Sequence, residues 1–134
     1  MNKHEFLQNV MNKTGMVNES DAEYIVAAIL RVLNSQLSGR ERKDLDDVLP
    51  NDIDSMFEGS LFDRFIARIQ SLHTMVRDDF IEQVREAADL RTTFETEKFI
   101  MAVFSTLKAT IPQTEVKHLH NELTDGVTDM WDAA

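Results

Sequence analysis

The sequence predicts an all-α protein of two tandem four-helix repeats with pseudo-two-fold symmetry, joined by a middle helix and sharing a single core. Three observations predict it. Sliding the 134-residue chain against itself by 74 positions aligns 6–58 with 80–132 without a gap. The overlap contains ten identities, where average residue usage gives roughly three. They are Phe6/Phe80, Val10/Val84, Glu23/Glu97, Ala28/Ala102, Leu33/Leu107, Glu41/Glu115, Lys43/Lys117, Leu45/Leu119, Leu49/Leu123 and Met56/Met130. Second, the apolar residues of each copy recur at steps of three and four, the period of a helix rather than a strand. Third, 43% of the residues are apolar, enough for a chain of this length to bury a core without cysteine, of which there is none.

Taken in order, Phe6, Leu7 and Val10 share one face of a short first helix that ends near Gly15. Ser20 or Asp21 can cap a long second helix, whose apolar positions run from Tyr24 through Ile25, Ile29, Val32 and Leu33 to Leu37. Within it IVAAIL is apolar nearly all round, which predicts burial on several sides. Ala28 and Ala102 hold the same place in the two copies, so the two central helices can cross closely there. Ser38 and Glu41 have the spacing of a capping box opening a third helix with Leu45, Val48 and Leu49, stopped by Pro50. Pro50 then suits the start of a last short helix with Ile53, Met56 and Phe57, closed by Gly59. In the second copy Pro112 replaces Ser38, so initiation relies on the fixed φ of proline.

The predicted organisation is therefore one domain, 1–134: repeat one at 4–58, a connecting helix at 60–76 and repeat two at 78–132. On the connecting helix Phe62, Phe65, Ile66, Ile69, Leu72, Met75 and Val76 form a wide apolar stripe. Residues 59–77 carry three basic groups and one acidic, between two units that are both strongly acidic, which predicts packing between them.

The net charge of −10 argues against nucleic acid, whose binding needs a concentrated basic face, and disfavours anionic membranes. No apolar run reaches the ~18 residues of a membrane span. The amphipathic N-terminus MNKHEFLQNV is no signal peptide, so a soluble, cytoplasmic protein is expected.

FLQNVMNKTG and DAEYIVAAILRVLNSQLSGRERKDLDDVLPNDI resemble the bacterial domain-of-unknown-function family 2267. The resemblance rests on Phe6 and Val10, on Ala22 to Leu33, and on Leu37, Ser38, Glu41, Leu45, Leu49 and Pro50. The second copy departs from the family pattern at Pro112 and Thr124. The resemblance implies an all-helical bacterial protein and carries over no catalytic or ligand residue.

No nucleophile motif and no phosphate-cradling glycine loop is present, so no catalytic residue, metal or cofactor is expected. His118 and His120, two apart on a helix, point about 200° away from each other and cannot chelate one ion together. Asp44, Asp46, Asp47, Asp52 and Asp54 lack the glycine and glutamate of a calcium loop and read as a solvated face. His73 falls on the apolar stripe with Phe62, Ile66, Ile69 and Val76. That stripe is the candidate face for a partner or an apolar ligand, with His73 either a structural histidine or the wall of a pocket. The leading expectation is a non-catalytic interaction or scaffold module that binds a protein partner or a second copy. The alternatives are a binder of haem or an apolar small molecule between the repeats and, less favoured, a membrane-surface anchor.

Overall fold

The computed structural model describes residues 1–57 and 76–134. Among them are eight α-helices, one 3₁₀ turn and no strand. The first four helices are α1 (Lys3–Thr14), α2 (Glu19–Ser35), α3 (Gly39–Val48) and α4 (Asn51–Asp54), the last continued by the 3₁₀ turn Ser55–Phe57. The remaining four are α5 (Arg77–Ala87), α6 (Thr93–Thr110), α7 (Gln113–Glu122) and α8 (Asp125–Ala133). Each helix of the second set begins 74 residues after its counterpart in the first: 3 and 77, 19 and 93, 39 and 113, 51 and 125.

Local chemistry sets the ends. Asn2 caps α1 by accepting the Glu5 N–H, and Gly15 ends it in the left-handed region at φ 80°, donating to Met11 O. The cap of α2 is Asn18, which accepts the Asp21 N–H, and not Ser20 or Asp21; Asn18 is the residue with extended backbone, and the other two lie inside the first turn. Thr92, its counterpart 74 residues on, caps α6 in the same way. Leu49 takes an extended conformation before Pro50, so α3 stops where the proline dictates. Pro112 stands at the N-cap of α7, and no side chain bonds there.

Helices α2 and α6 pack against each other at the centre. Helix α1 lies on both of them and so does α5, while α8 covers α5 and α6. Buried residues from both halves, among them Phe6, Ile29, Leu33, Phe80, Phe104, Leu107 and Trp131, form one cluster. Ala28 and Ala102 are both buried on the crossing helices, as their size predicts. Tyr24 departs from the expectation: it is 58% exposed, because α2 turns Ile25, Ile29 and Val32 inward and leaves Tyr24 on the outer edge.

The charged identity Glu23/Glu97 has a plain cause. Lys3 Nζ pairs with Glu23 at 2.7 Å, and Arg77 pairs with Glu97, so each half ties the start of one helix to the next. A neighbouring junction is solved in two ways. Asp52 accepts the Lys3 N–H at 2.8 Å, whereas its counterpart Gly126 lets Arg77 approach the backbone directly. A Cβ at Gly126 would meet Arg77 Cβ at 2.6 Å and Arg77 N at 3.0 Å. Gly126→Ala is therefore expected to destabilise the protein by ~1–3 kcal/mol despite alanine's higher helix propensity, measured as a lower urea midpoint.

Of the predicted connecting helix, 60–76, only its last residue falls among the described ones. Val76 is not helical: it takes an extended conformation (φ −81°, ψ 172°) as the residue before α5. Phe62, Ile66, Ile69 and His73 lie outside the described residues, as does Gly59. No helix among the described residues is long and apolar enough to cross a membrane.

Candidate functional site

Helices α3 and α7 pack against each other, and their contact buries two acids. Glu41 is 6% exposed and Glu115 is 5% exposed, and one carboxylate oxygen of each (Oε1) has no hydrogen-bond partner. One oxygen of each glutamate and one ring nitrogen of His118 all lie within 4.8 Å of one another. His118 Nδ1 stands 3.6 Å from Glu115 Oε2, with the imidazole reaching to solvent. A cleft of about 240 Å³ opens onto this group, lined by Ser38, Arg40, Glu41, Asp44, His118 and Glu122 among others.

Local sequence explains the arrangement. Glu41 and Leu45 sit one turn apart on the inner face of α3, and Glu115, Val116 and Leu119 on that of α7. The leucines anchor the two helices, and the glutamates one turn earlier are carried inward with them. Asp44 and His118 follow their glutamates by three residues and line the same cleft. The capping box forms only in part. Ser38 accepts the Glu41 N–H at 3.2 Å, but the Glu41 side chain turns toward Glu115, and the Ser38 hydroxyl donates to Glu122 at 3.0 Å.

Burial of Glu41 out of water, then its hydrogen bond with Glu115 and the nearby charges of Glu115, Asp44 and Glu122, push its carboxyl up to about 8. Among the described residues neither glutamate forms an ion pair with Lys or Arg. Two facing buried acids without a cation are costly, and a shared proton relieves part of that cost.

A second concavity, about 430 Å³, lies where the α1–α2 and α5–α6 junctions meet. Met16, Ile25, Leu90 and Phe99 supply apolar walls, and Asp21, Asp89, Glu95 and Tyr24 the polar ones. Three counterpart pairs line it together: Met16 with Leu90, Asp21 with Glu95, and Ile25 with Phe99.

Of the stripe residues predicted as a binding face only Val76 falls among the described residues, and it lines neither place. Phe62, Ile66, Ile69 and His73 are outside the described residues, and Val76 is 56% exposed beside α5. His118 and His120 do part company: His120 Nδ1 lies 2.8 Å from Asp132, on the other side of α7. Asp44 is not simply part of a solvated face, since it is half-buried and turned to the Glu41 cleft. Sequence reasoning missed the Glu41–Glu115 contact. Its signal was the identity of a charged residue at counterpart positions, which the capping spacing of Ser38 and Glu41 explained away.

Among the described residues fold and seam together define an all-helical protein with two buried acids facing each other where α3 meets α7. The chain belongs to the family described as "Uncharacterized conserved protein (DUF2267)", which matches residues 3–130. No curated protein matches it.

Proposed function

We propose that the protein is a non-catalytic helical docking module: two four-helix units, 4–58 and 78–132, related by a pseudo-two-fold and sharing one core. In this reading it holds an amphipathic segment of a partner protein in the groove between the α1–α2 and α5–α6 junctions. The reciprocal packing of α1 on α6 and α5 on α2 supports the two-fold relation. So do the counterpart pairs lining the groove and the pairing of Glu41 with its own counterpart Glu115.

The observation that carries the docking reading is the groove itself. Its apolar walls are edged by Asp21, Asp89 and Glu95, and Tyr24 stands exposed at its side. Beside lining residues in sequence, Val17 and Phe94 are 94% and 82% exposed. Large apolar side chains held in water next to a concave apolar surface favour a bound partner. The acidic edge selects one with apolar and basic residues, as an amphipathic helix presents them. It also argues against a second copy in the same place, because two such edges repel.

Peptide display against the intact chain at 0.15 M salt tests this. Selected peptides should combine aromatic or aliphatic residues with Lys or Arg. Tyr24→Ala and Glu95→Lys should each weaken them at least about tenfold. Failure to enrich any peptide, or undiminished binding to a variant carrying both Tyr24→Ala and Glu95→Lys, would remove the reading. A concentration-dependent dimer abolished by Tyr24→Ala would replace it with self-association.

A further inference from the structure

We infer that the α3–α7 seam is a binding site for one first-row transition-metal dication, with Glu41, Glu115 and His118 as its protein ligands. This goes beyond the docking reading and rests on different residues.

Each glutamate is more than nine-tenths buried and leaves Oε1 without a partner, and one oxygen of each lies within 4.8 Å of the other and of a His118 ring nitrogen. Buried carboxylate oxygens ordinarily find a donor or a cation. A dication supplies the charge that no lysine or arginine among the described residues supplies to these two groups. The spacing is close to what one needs. Ligand atoms held by ~2.0 Å bonds at a tetrahedral centre stand about 3.3 Å apart. Here His118 Nδ1 and Glu115 Oε2 are 3.6 Å apart, and the set of three lies within 4.8 Å. Small side-chain rotations close that difference, and His118, exposed on the cleft wall, is free to make them.

Sequence spacing gives the same answer. Glu115 and His118 form a Glu-x-x-His pair, whose i and i+3 side chains project together from one helix face. Pairs of this kind hold metals inside helical bundles when a facing helix adds carboxylate. The facing helix here adds Glu41, with Asp44 one turn further on at the cleft wall. Ser38 and Glu122, hydrogen-bonded to each other at 3.0 Å, stand behind the ligands as a polar rim.

The donor set also chooses the ion. Calcium takes six to eight oxygens, whereas the inner side of this seam is closed by Leu45, Val116 and Leu119. Two carboxylates and an imidazole suit zinc, cobalt, iron or manganese. Three protein ligands on an open cleft leave at least one position for water.

Isothermal titration of EDTA-treated full-length protein with Zn²⁺ and with Co²⁺ at pH 7.5 tests the assignment, with Co²⁺ visible absorption as a second readout. The expected result is one ion per chain in the micromolar range, with Ca²⁺ and Mg²⁺ at least about a hundredfold weaker. Glu41→Gln, Glu115→Gln and His118→Ala should each weaken Zn²⁺ at least about tenfold, and His120→Ala should leave it unchanged. Circular dichroism and a urea midpoint for each variant separate ligand loss from unfolding. Glu41→Gln in particular should fold, since its amide is neutral and isosteric. Binding no tighter than millimolar, binding indifferent to any of the three ligand substitutions, or Ca²⁺ binding as tightly as Zn²⁺ would overturn the inference.

Discussion

Trp131→Ala should cost the protein ~3–5 kcal/mol, a large share of the 5–15 kcal/mol that holds a typical domain together. Trp131 is 1% exposed in the second half's short last helix, yet it reaches the centre. Its ring meets Phe104 edge-on at 5.3 Å, and Phe104 in turn lies 5.9 Å from Phe80, linking α8, α6 and α5. The indole N–H donates to Val116 O at 3.2 Å, so the same residue ties α8 to α7. Lys108 lies 5.8 Å from the ring centre and donates to the Trp131 and Ala134 carbonyls, closing the end of α8. Trp131→Phe keeps most of the buried area and loses the N–H bond, so it should cost only ~1–2 kcal/mol. Urea denaturation at pH 7 measures both. A loss under ~1 kcal/mol for the alanine variant would mean that α8 is peripheral to the cooperative unit.

How far the sequence could be read follows from which forces act locally. The helices were legible because apolar period and stop signals are local: Gly15 and Pro50 end helices where their backbone chemistry requires. Their caps were less so. Asn18, Ser20 and Asp21 can all accept an N–H, and the choice among them depends on which residue leaves the helix backbone. Tyr24 lies one residue outside the buried stripe of α2; its counterpart, Lys98, is exposed and marks the true edge. The seam was hidden for a deeper reason. Glutamate is ordinarily solvated, so nothing within a single helix announces that it will be buried. Only the pairing of α3 with α7, a contact between residues 74 apart in sequence, turns two surface-like acids into facing ones. Of the three charged identities between the halves, Lys43/Lys117 lies in solvent and Glu23/Glu97 serves an ion pair in each half. Glu41/Glu115 is the one whose two members come together.

Glu41→Gln should stabilise the protein at pH 8 and change little at pH 5. The folded protein holds the Glu41 proton up to about pH 8, against an ordinary value of 4.5, because burial and then the Glu115 hydrogen bond disfavour its charge. The folded state therefore binds more protons than the unfolded one throughout that window. The contribution of Glu41 is fully present below about pH 4.5 and is lost as pH rises through about 8. The slope approaches ~1.4 kcal/mol per pH unit for one proton. Facing charges from both helices act in the same direction: Glu115 and Glu122 from α7, and Asp44 from α3 itself. Asp46, pushed up to about 6 by desolvation and then its hydrogen bond with Asp54, adds a slope of the same sign at lower pH. From pH 7 to 8 the slope is consequently mainly that of Glu41. Glutamine mimics the protonated acid at every pH and can donate its N–H to Glu115, so the variant should flatten the slope between 7 and 8. At pH 8 it should exceed the parent by on the order of 2 kcal/mol. His118 and Arg40 also line the cleft, so His118→Ala serves as the control that separates their charges from the carboxyl pair. Stability that is flat across pH 7–8 in the parent, or a variant that is weaker at pH 8, would show that the two acids are already relieved by something other than a proton.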